Sequence, residues 1–411
     1  MRTRTWCVAA TLACLPTLVA AQTVLSEADA LAKLSADSPR VREIRSGVDV
    51  TRAEALAPGR WPNPRFTFNR ESVAGVTENM FMVAQPLPIT GRRGLEVDAA
   101  SALVAASEQR ADEAVRQVRS ALRRAYADLV GAQLRATEMI ASRDRLRGLA
   151  DVLGRREAAG EAAGYDRLRA EREVIEIEAD LTAARADRAR AQAALAAFFA
   201  PTTNPSTLVA AVPQAGVPRQ PLPTVEELVA YAESRVPELS ALKHEQQSAS
   251  LAMDAAGRRP IPEPEVVAGT KSSNVARGNV GDLGTVFSIH IAIPLFDQAK
   301  PEQALAQARR AQAEARIAAF QAVLHADVAA LRTIVLERRQ AADSYRASTA
   351  TSAAQLERIA QVSYDAGERS ILELVDAYRN SGSTRLRQVA LDAAVRHAEI
   401  ELELVSGWEI R

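Results

Sequence analysis

The chain repeats itself, and the repeat dictates what it can fold into. Thr224–Glu227 echoes Ser26–Asp29, and Val236-Pro237-Glu238 echoes Ser38-Pro39-Arg40, both at an offset of 198 residues. Pro62-Asn63-Pro64 returns as Pro262-Glu263-Pro264. Gln85-Pro86-Leu87-Pro88-Ile89-Thr90 returns as Ala292-Ile293-Pro294-Leu295-Phe296, with Pro88 opposite Pro294. Last, Glu157-Ala158-Ala159-Gly160 returns as Tyr364-Asp365-Ala366-Gly367, the two glycines 207 residues apart. Echoes in one order with a slowly drifting offset mark a duplicated unit, and such a period takes precedence over any domain count from length. Each unit reads helix, extended hairpin, very long helix, tight turn, helix.

Two stretches are strongly helical and far too long for a compact domain. No proline interrupts 94–157, and apolar residues fall at Val115, Val118, Leu122, Ala125, Leu129, Ala132, Ala136 and Met139. That alternating three-four spacing is a coiled-coil seam. A helix of ~60 residues extends about 90 Å. The second copy runs from Pro301, well placed at a first helical position, to about Asp365, with its seam at Ile317, Phe320, Leu324, Val328, Leu331 and Val335. The return helices carry seams at Val174, Ile177, Leu181, Ala184, Ala191, Leu195 and Phe198, and at Val375, Tyr378, Leu386, Val389, Ala393 and Ile400. Frequent seam alanines and an aromatic content of only 4% suit thin layers of closely approaching helices better than a broad core.

Upstream of each long helix lies a short β pattern. Phe66 and Phe68 alternate with Thr67 and Asn69, followed by a run from Met80 to Gln85; in the second copy Val266–Lys271 precedes Thr285, Phe287, Ile289, Ile291 and Ile293 alternating with Val286, Ser288, His290 and Ala292. Loops at 71–79 and 272–284 join each pair as a hairpin. Strands of ~8–10 residues match a tilted bilayer-spanning strand. Four such strands cannot span a membrane alone, because open edges in hydrocarbon leave backbone groups unsatisfied. They must close with strands of other copies; ~8 strands make a small barrel and ~12 leave a lumen, so two, three or four chains serve. Met80 and Met82, straddling Phe81, read as lipid- or core-facing apolar residues rather than a metal relay.

The N-terminus reads as a secretory signal over 1–21: Arg2 and Arg4, an apolar stretch Trp6–Val19, and Val19-Ala20-Ala21 before Gln22. Both cysteines, Cys7 and Cys14, lie in it, so disulfides and thiolate chemistry are excluded from the mature chain. In a lipoprotein Cys14 would be acylated, but the leucine of Thr11-Leu12-Ala13 sits one place too late. No later segment has 18 consecutive apolar residues, so no transmembrane helix is expected to follow. The expected organisation is a first repeat over 22–200 (hairpin 65–86, long helical hairpin 94–199), a proline-rich linker over 201–223, and a second repeat over 224–411 (hairpin 265–294, long helical hairpin 301–405). Balanced charge, 51 basic against 51 acidic residues, suggests no polyanion or nucleic-acid partner.

On these features the chain resembles the TolC-type outer-membrane efflux proteins over essentially its whole mature length. Gln85-Pro86-Leu87-Pro88-Ile89-Thr90-Gly91-Arg92-Arg93 is most similar to the heavy-metal (cobalt–zinc–cadmium resistance, CzcC-like) branch, as is Pro294-Leu295-Phe296-Asp297; Gln298-Ala299-Lys300-Pro301 departs from that branch's turn. The resemblance implies a mainly α fold with a small β part: a homotrimer whose four strands per chain form a 12-stranded barrel in the outer membrane of a Gram-negative bacterium, continuing as a coiled-coil α-barrel into the periplasm. It implies a passive exit duct, without catalysis or cofactor, coupled to a periplasmic adaptor and an inner-membrane RND-type pump, with heavy-metal cations as cargo. Carried over by position, Tyr364 and Arg369 are gate residues with Tyr165 and Asp166 across from them, Glu373 and Asp376 form a pore-lining acidic ring, and Gly160 and Gly367 are hairpin tips that meet the adaptor. Three residues apart, Glu373 and Asp376 share one helix face. Tyr165 stands where the family has a small polar residue.

Simpler roles exist for each of these. Tyr364 and Arg369 serve equally as turn packing and a solvated charge, Glu373 and Asp376 as a hydrated face, and the glycines as helix reversals. His244, His290, His325 and His397 are scattered without ligand spacing. No nucleophile–base pair or phosphate loop is present, so an enzyme is not expected. The competing readings are a periplasmic coiled-coil adaptor or scaffold without a pore, and a duct for type I protein secretion.

Overall fold

The sequence echoes are duplicated helix ends. In the computed structural model, described for residues 23–34, 38–160, 164–213, 219–275, 282–296, 298–349 and 352–410, Ser26 caps helix α1 (Glu27–Lys33) through a capping box with Asp29, and Thr224 caps α5 (Val225–Arg235) through the same box with Glu227. Each box satisfies two otherwise orphaned amides. Pro39 and Pro237 open α2 (Pro39–Glu54) and α6 (Pro237–Arg258) at the first helical turn, where a missing N–H costs nothing. Gly160 (φ +78°) and Gly367 (φ +72°) adopt the left-handed conformation that ends a helix. The signal-segment reading, with Cys7 and Cys14, falls outside the described residues.

Helix α3 runs from Arg92 to Ala158, 67 residues, about 100 Å at 1.5 Å per residue. It returns as α4 (Gly164–Ala196). The second hairpin comprises α7 (Lys300–Thr349) and α8 (Ser352–Asp365), returning as α9 (Ile371–Ser406). Seam residues Leu122, Leu129, Leu181, Leu195, Val328 and Val335 are at most 1% exposed. Helix α3 packs along α4, α6 and α9, while α7 packs along α6 and α9. The apolar core is therefore several clusters strung along the length. The stretch Lys300–Asp365, which includes α7 and α8, also holds an 18-residue helical window of mean hydropathy 1.4, apolar enough to cross a membrane by composition, although no such helix was expected; only 17% of that window is buried. Its apolar character comes from seam residues and alanines on a helix at the edge of the chain.

At one end of the helices the two β-hairpins merge. Strands β2 (Arg65–Val73), β3 (Val76–Pro86), β5 (Pro264–Val275) and β6 (Asp282–Ile291) form one antiparallel sheet in the order β2-β3-β5-β6. The β3–β5 seam, with Gln85 opposite Val266 and Phe81 opposite Thr270, joins the two repeats.

Midway along the body, residues 201–213 of the expected linker are more than an extended connection. Leu208–Ala210 forms β4, paired in parallel with β1 (Thr23–Leu25). The edge of β4 away from β1 is completed by side chains: Ala210 N–H donates to Gln133 Oε1 (2.9 Å), Gln133 Nε2 donates to the Ala210 carbonyl (3.0 Å), and Gln192 Nε2 donates to the Leu208 carbonyl (2.8 Å). Tyr126 Oη donates to the Leu25 (3.0 Å) or Ala211 (2.9 Å) carbonyl. Close by, Glu27 receives Arg123 (2.5 Å) and Arg396 (2.9 Å), and Arg123 also pairs with Glu403. Burial pushes Glu27 up, but the two guanidiniums outweigh it and hold the carboxyl below its ordinary range. Glu403 is more enclosed, and there burial wins and raises it.

Candidate functional site: a two-faced sheet and a clasped helical tip

Alternation along the strands sorts side chains onto two faces. Register places Phe66, Phe68, Phe81, Val83, Val266, Phe287, Ile289 and Ile291 on one face. Phe66, Phe68, Phe81, Phe287, Ile289 and Ile291 are all at least 46% exposed. The Phe68 and Phe81 rings pack at 4.8 Å between centroids. The opposite face carries Arg65 paired with Glu265 (3.0 Å), Lys271 paired with Glu78 (2.6 Å), and His290. Met80 and Met82 lie on this charged face, not with the exposed aromatics; parity with Phe81 fixes them there, and Met82 covers Gly269 across the strand pair. Gly269 is required by close approach: a Cβ there would sit 2.9 Å from Met82 Cα and closer still to the Phe81 carbonyl oxygen.

The far end of the helices holds the other expected site. After α8, the Gly367 N–H donates to the Tyr364 carbonyl (3.0 Å) and the Glu368 N–H to the Ser363 carbonyl (2.9 Å), closing a Schellman turn. Beneath it Leu149, Leu153, Ala170, Ala360, Ile371, Leu374 and Val375 form a cluster drawn from both hairpins, with Tyr364 and Tyr378 against it. Tyr364 carries the Arg156 guanidinium over its ring at 5.6 Å, and Arg156 reaches Asp365 at 3.6 Å. Burial raises the Tyr364 phenol, with Arg156 opposing and Asp166 adding to it, so the group stays protonated at neutral pH. Asp166 is thus close enough to act on Tyr364, whereas Tyr165 is 67% exposed. Arg369 pairs within its own helix turn, with Glu373 at 2.7 Å, rather than with a neighbouring helix of the chain. Asp376 accepts from Asn380 Nδ2 (3.0 Å). Gly160 and Gly367 are exposed, with open space around them.

Sequence reasoning missed the ties between hairpins. Arg379 on α9 meets Glu173 on α4 at 3.4 Å. Glu357 on α8 holds Arg145 (3.5 Å) and Arg385 (3.3 Å), and Arg385 reaches Glu138 on α3 at 3.5 Å. The repeat offset was the available signal. Glu173 and Arg379 are 206 apart, and Arg65 and Glu265 are 200 apart, because duplicated halves set equivalent turns at one height. Among the described residues no group of three or more His, Cys, Asp or Glu side chains could hold a metal.

Residues 228–407 match the family described as Outer membrane efflux protein. No curated protein matches the chain. Among solved structures, a membrane protein from Pseudomonas aeruginosa is similar at a TM-score of 0.76 and 20% identity, over 93% of this chain and 92% of that one. The outer-membrane channel OprN matches at 0.75 and 17% identity, over 93% and 89%. The CmeC outer membrane channel of Campylobacter jejuni matches at 0.74 and 11% identity, over 98% and 94%. At these identities the likeness is one of fold, and the fold is that of the TolC-like channels.

Proposed function

We propose that this chain is the outer-membrane component of a tripartite efflux system, a passive duct and not an enzyme. The observation that carries the reading is the two-faced sheet with open edges. An apolar outer face beside a charged inner face suits a strand set between lipid and water. Backbone groups along the free edges of β2 and β6 would be intolerable in hydrocarbon unless further copies pair with them. Three copies give 12 strands, enough for a water-filled lumen. The helical body needs the same partners: Leu168 and Ile175 on α4, and Leu356, Ile359 and Val362 on α8, leave apolar stripes exposed along the edges of the chain. A neighbouring copy that set α8 against α4 would cover both.

In this reading the two repeats, 22–200 and 224–411, contribute equivalent sixths of barrel and tunnel, and the helical tips face the periplasmic adaptor and inner-membrane pump that supply the energy. Tyr364, Arg156 and Asp166 brace the tip, Glu373 and Asp376 face the passage, and Gly160 and Gly367 offer the smooth turns an adaptor would contact. Heavy-metal cations as cargo rest on the resemblance of Gln85–Arg93 and Pro294–Asp297 alone. A scaffold without a pore has no use for an exposed row of phenylalanines opposite a charged face. The test is fractionation and reconstitution: the protein should extract with the outer membrane and form water-filled channels in planar bilayers. Release with the periplasm, without channel activity, would favour the scaffold.

A further inference from the structure

The face of α9 that carries Glu373 and Asp376 also carries positive charge. These two carboxylates share a hollow of about 350 Å³ with Arg169, Leu372, Val375 and Arg379. The Nε of Arg169 is buried there with no hydrogen-bond partner. Arg379 is 61% exposed and reaches Glu173 at 3.4 Å. Arg369, one turn before, already engages Glu373 at 2.7 Å. The hollow itself thus holds two guanidiniums, Arg169 and Arg379, with two carboxylates, Glu373 and Asp376, while Arg369 and Glu173 pair with members of the group from outside it.

We propose that Arg169 and Arg379 are selectivity-determining residues that neutralise the acidic ring, making the narrow end of the duct charge-balanced. The inference rests on the duct reading and adds to it. A ring of uncompensated carboxylates at a constriction concentrates cations and excludes anions. Positive groups that share a hollow with these carboxylates oppose that field at a passing ion. Of the three arginines, Arg169 and Arg379 come from different hairpins, so closing α4 against α9 is what assembles the neutral surface. Substrate choice then falls to the inner-membrane partner, and the passage itself takes small solutes of either sign.

The experiment is reversal potential across a KCl gradient for single channels of the full-length protein in planar bilayers. Wild type should show a potassium-to-chloride permeability ratio within about twofold of unity, and Arg169→Gln should raise it to about fivefold or more. Arg169→Gln breaks no salt bridge, so it reads charge without loosening the tip. Arg379→Gln should add to the shift and, by releasing Glu173, also raise conductance. Glu373→Gln with Asp376→Asn should move selectivity towards chloride. A wild-type channel already strongly cation-selective, or a ratio unmoved by Arg169→Gln and by both arginine changes together, overturns the inference while leaving the duct intact. Absence of any channel overturns the duct reading and the inference with it.

Discussion

Gln133 stands in for a missing β-strand, and removing its amide should unfasten the midpoint of the molecule. Its two hydrogen bonds satisfy both backbone groups of Ala210, at 2.9 and 3.0 Å, on the edge of β4 that no strand covers. Ala210 is 2% exposed, so water does not replace them in the closed state. Leaving a buried donor or acceptor unsatisfied costs about 1–3 kcal/mol each. Gln133→Met keeps the volume and loses both bonds, and local stability of β4 should fall by about 2–4 kcal/mol. At about 1.4 kcal/mol per decade, hydrogen exchange of the Ala210 amide should accelerate roughly 30- to 1,000-fold. Exchange mass spectrometry on peptides covering 205–213 and 23–25 reads this directly, while amides in mid-α3 serve as the unchanged reference. Exchange within about threefold of wild type would refute the reasoning. Gln133→Ala adds a cavity and should be worse; a large effect in the alanine variant alone would make Gln133 a packing residue.

Three further outcomes are expected. Gly269→Ala forces a methyl group into the β3 backbone at the one seam joining the two hairpins, so it should abolish the stable oligomer seen by native mass spectrometry, with normal secretion. Arg339 and Glu399 pair at 2.7 Å with each side chain only 10% exposed, and Arg339 Nη1 also donates to the Gln220 carbonyl. Arg339→Ala leaves the buried Glu399 carboxylate only the longer contact to Arg396 (3.6 Å) and should cost about 2–4 kcal/mol in urea unfolding, whereas replacing both residues with Met and Leu should cost clearly less. Glu27 has a depressed folded-state pKa, so its contribution is present above the ordinary glutamate range and is lost as pH falls below about 4. Protection of peptide 23–34, taken relative to the intrinsic exchange rate at each pH, should fall on that descent, and Glu27→Gln should show low protection at every pH. The raised carboxyl of Glu403 takes up its proton in the opposite sense, so a global melt should respond less than this peptide.

The helices were legible because their information is local. Seam spacing at Leu122, Leu129, Val328 and Val335, capping boxes at Ser26 and Thr224, and reversal glycines at Gly160 and Gly367 each act within a few residues. The strands were legible as alternation, and parity alone sufficed to set Met80 and Met82 opposite Phe81; treating them as generic apolar residues passed over that. The strand role of Leu208–Ala210 was hidden because three residues carry no periodicity and the partners that complete its edge, Gln133 and Gln192, are side chains from distant helices. The charge balance at the tip was hidden for a related reason. Glu373 and Asp376 read as an acidic pair along α9, and only the packing of α4 beside it brings Arg169 into the same hollow.

A duct requires that copies of this chain close a barrel around water. Native mass spectrometry of the detergent-extracted outer-membrane fraction, paired with single-channel recording on the same sample, tests it most directly. A mass of three chains that yields discrete, long-lived channels is the predicted result. A single chain, or an oligomer that never conducts, would contradict it.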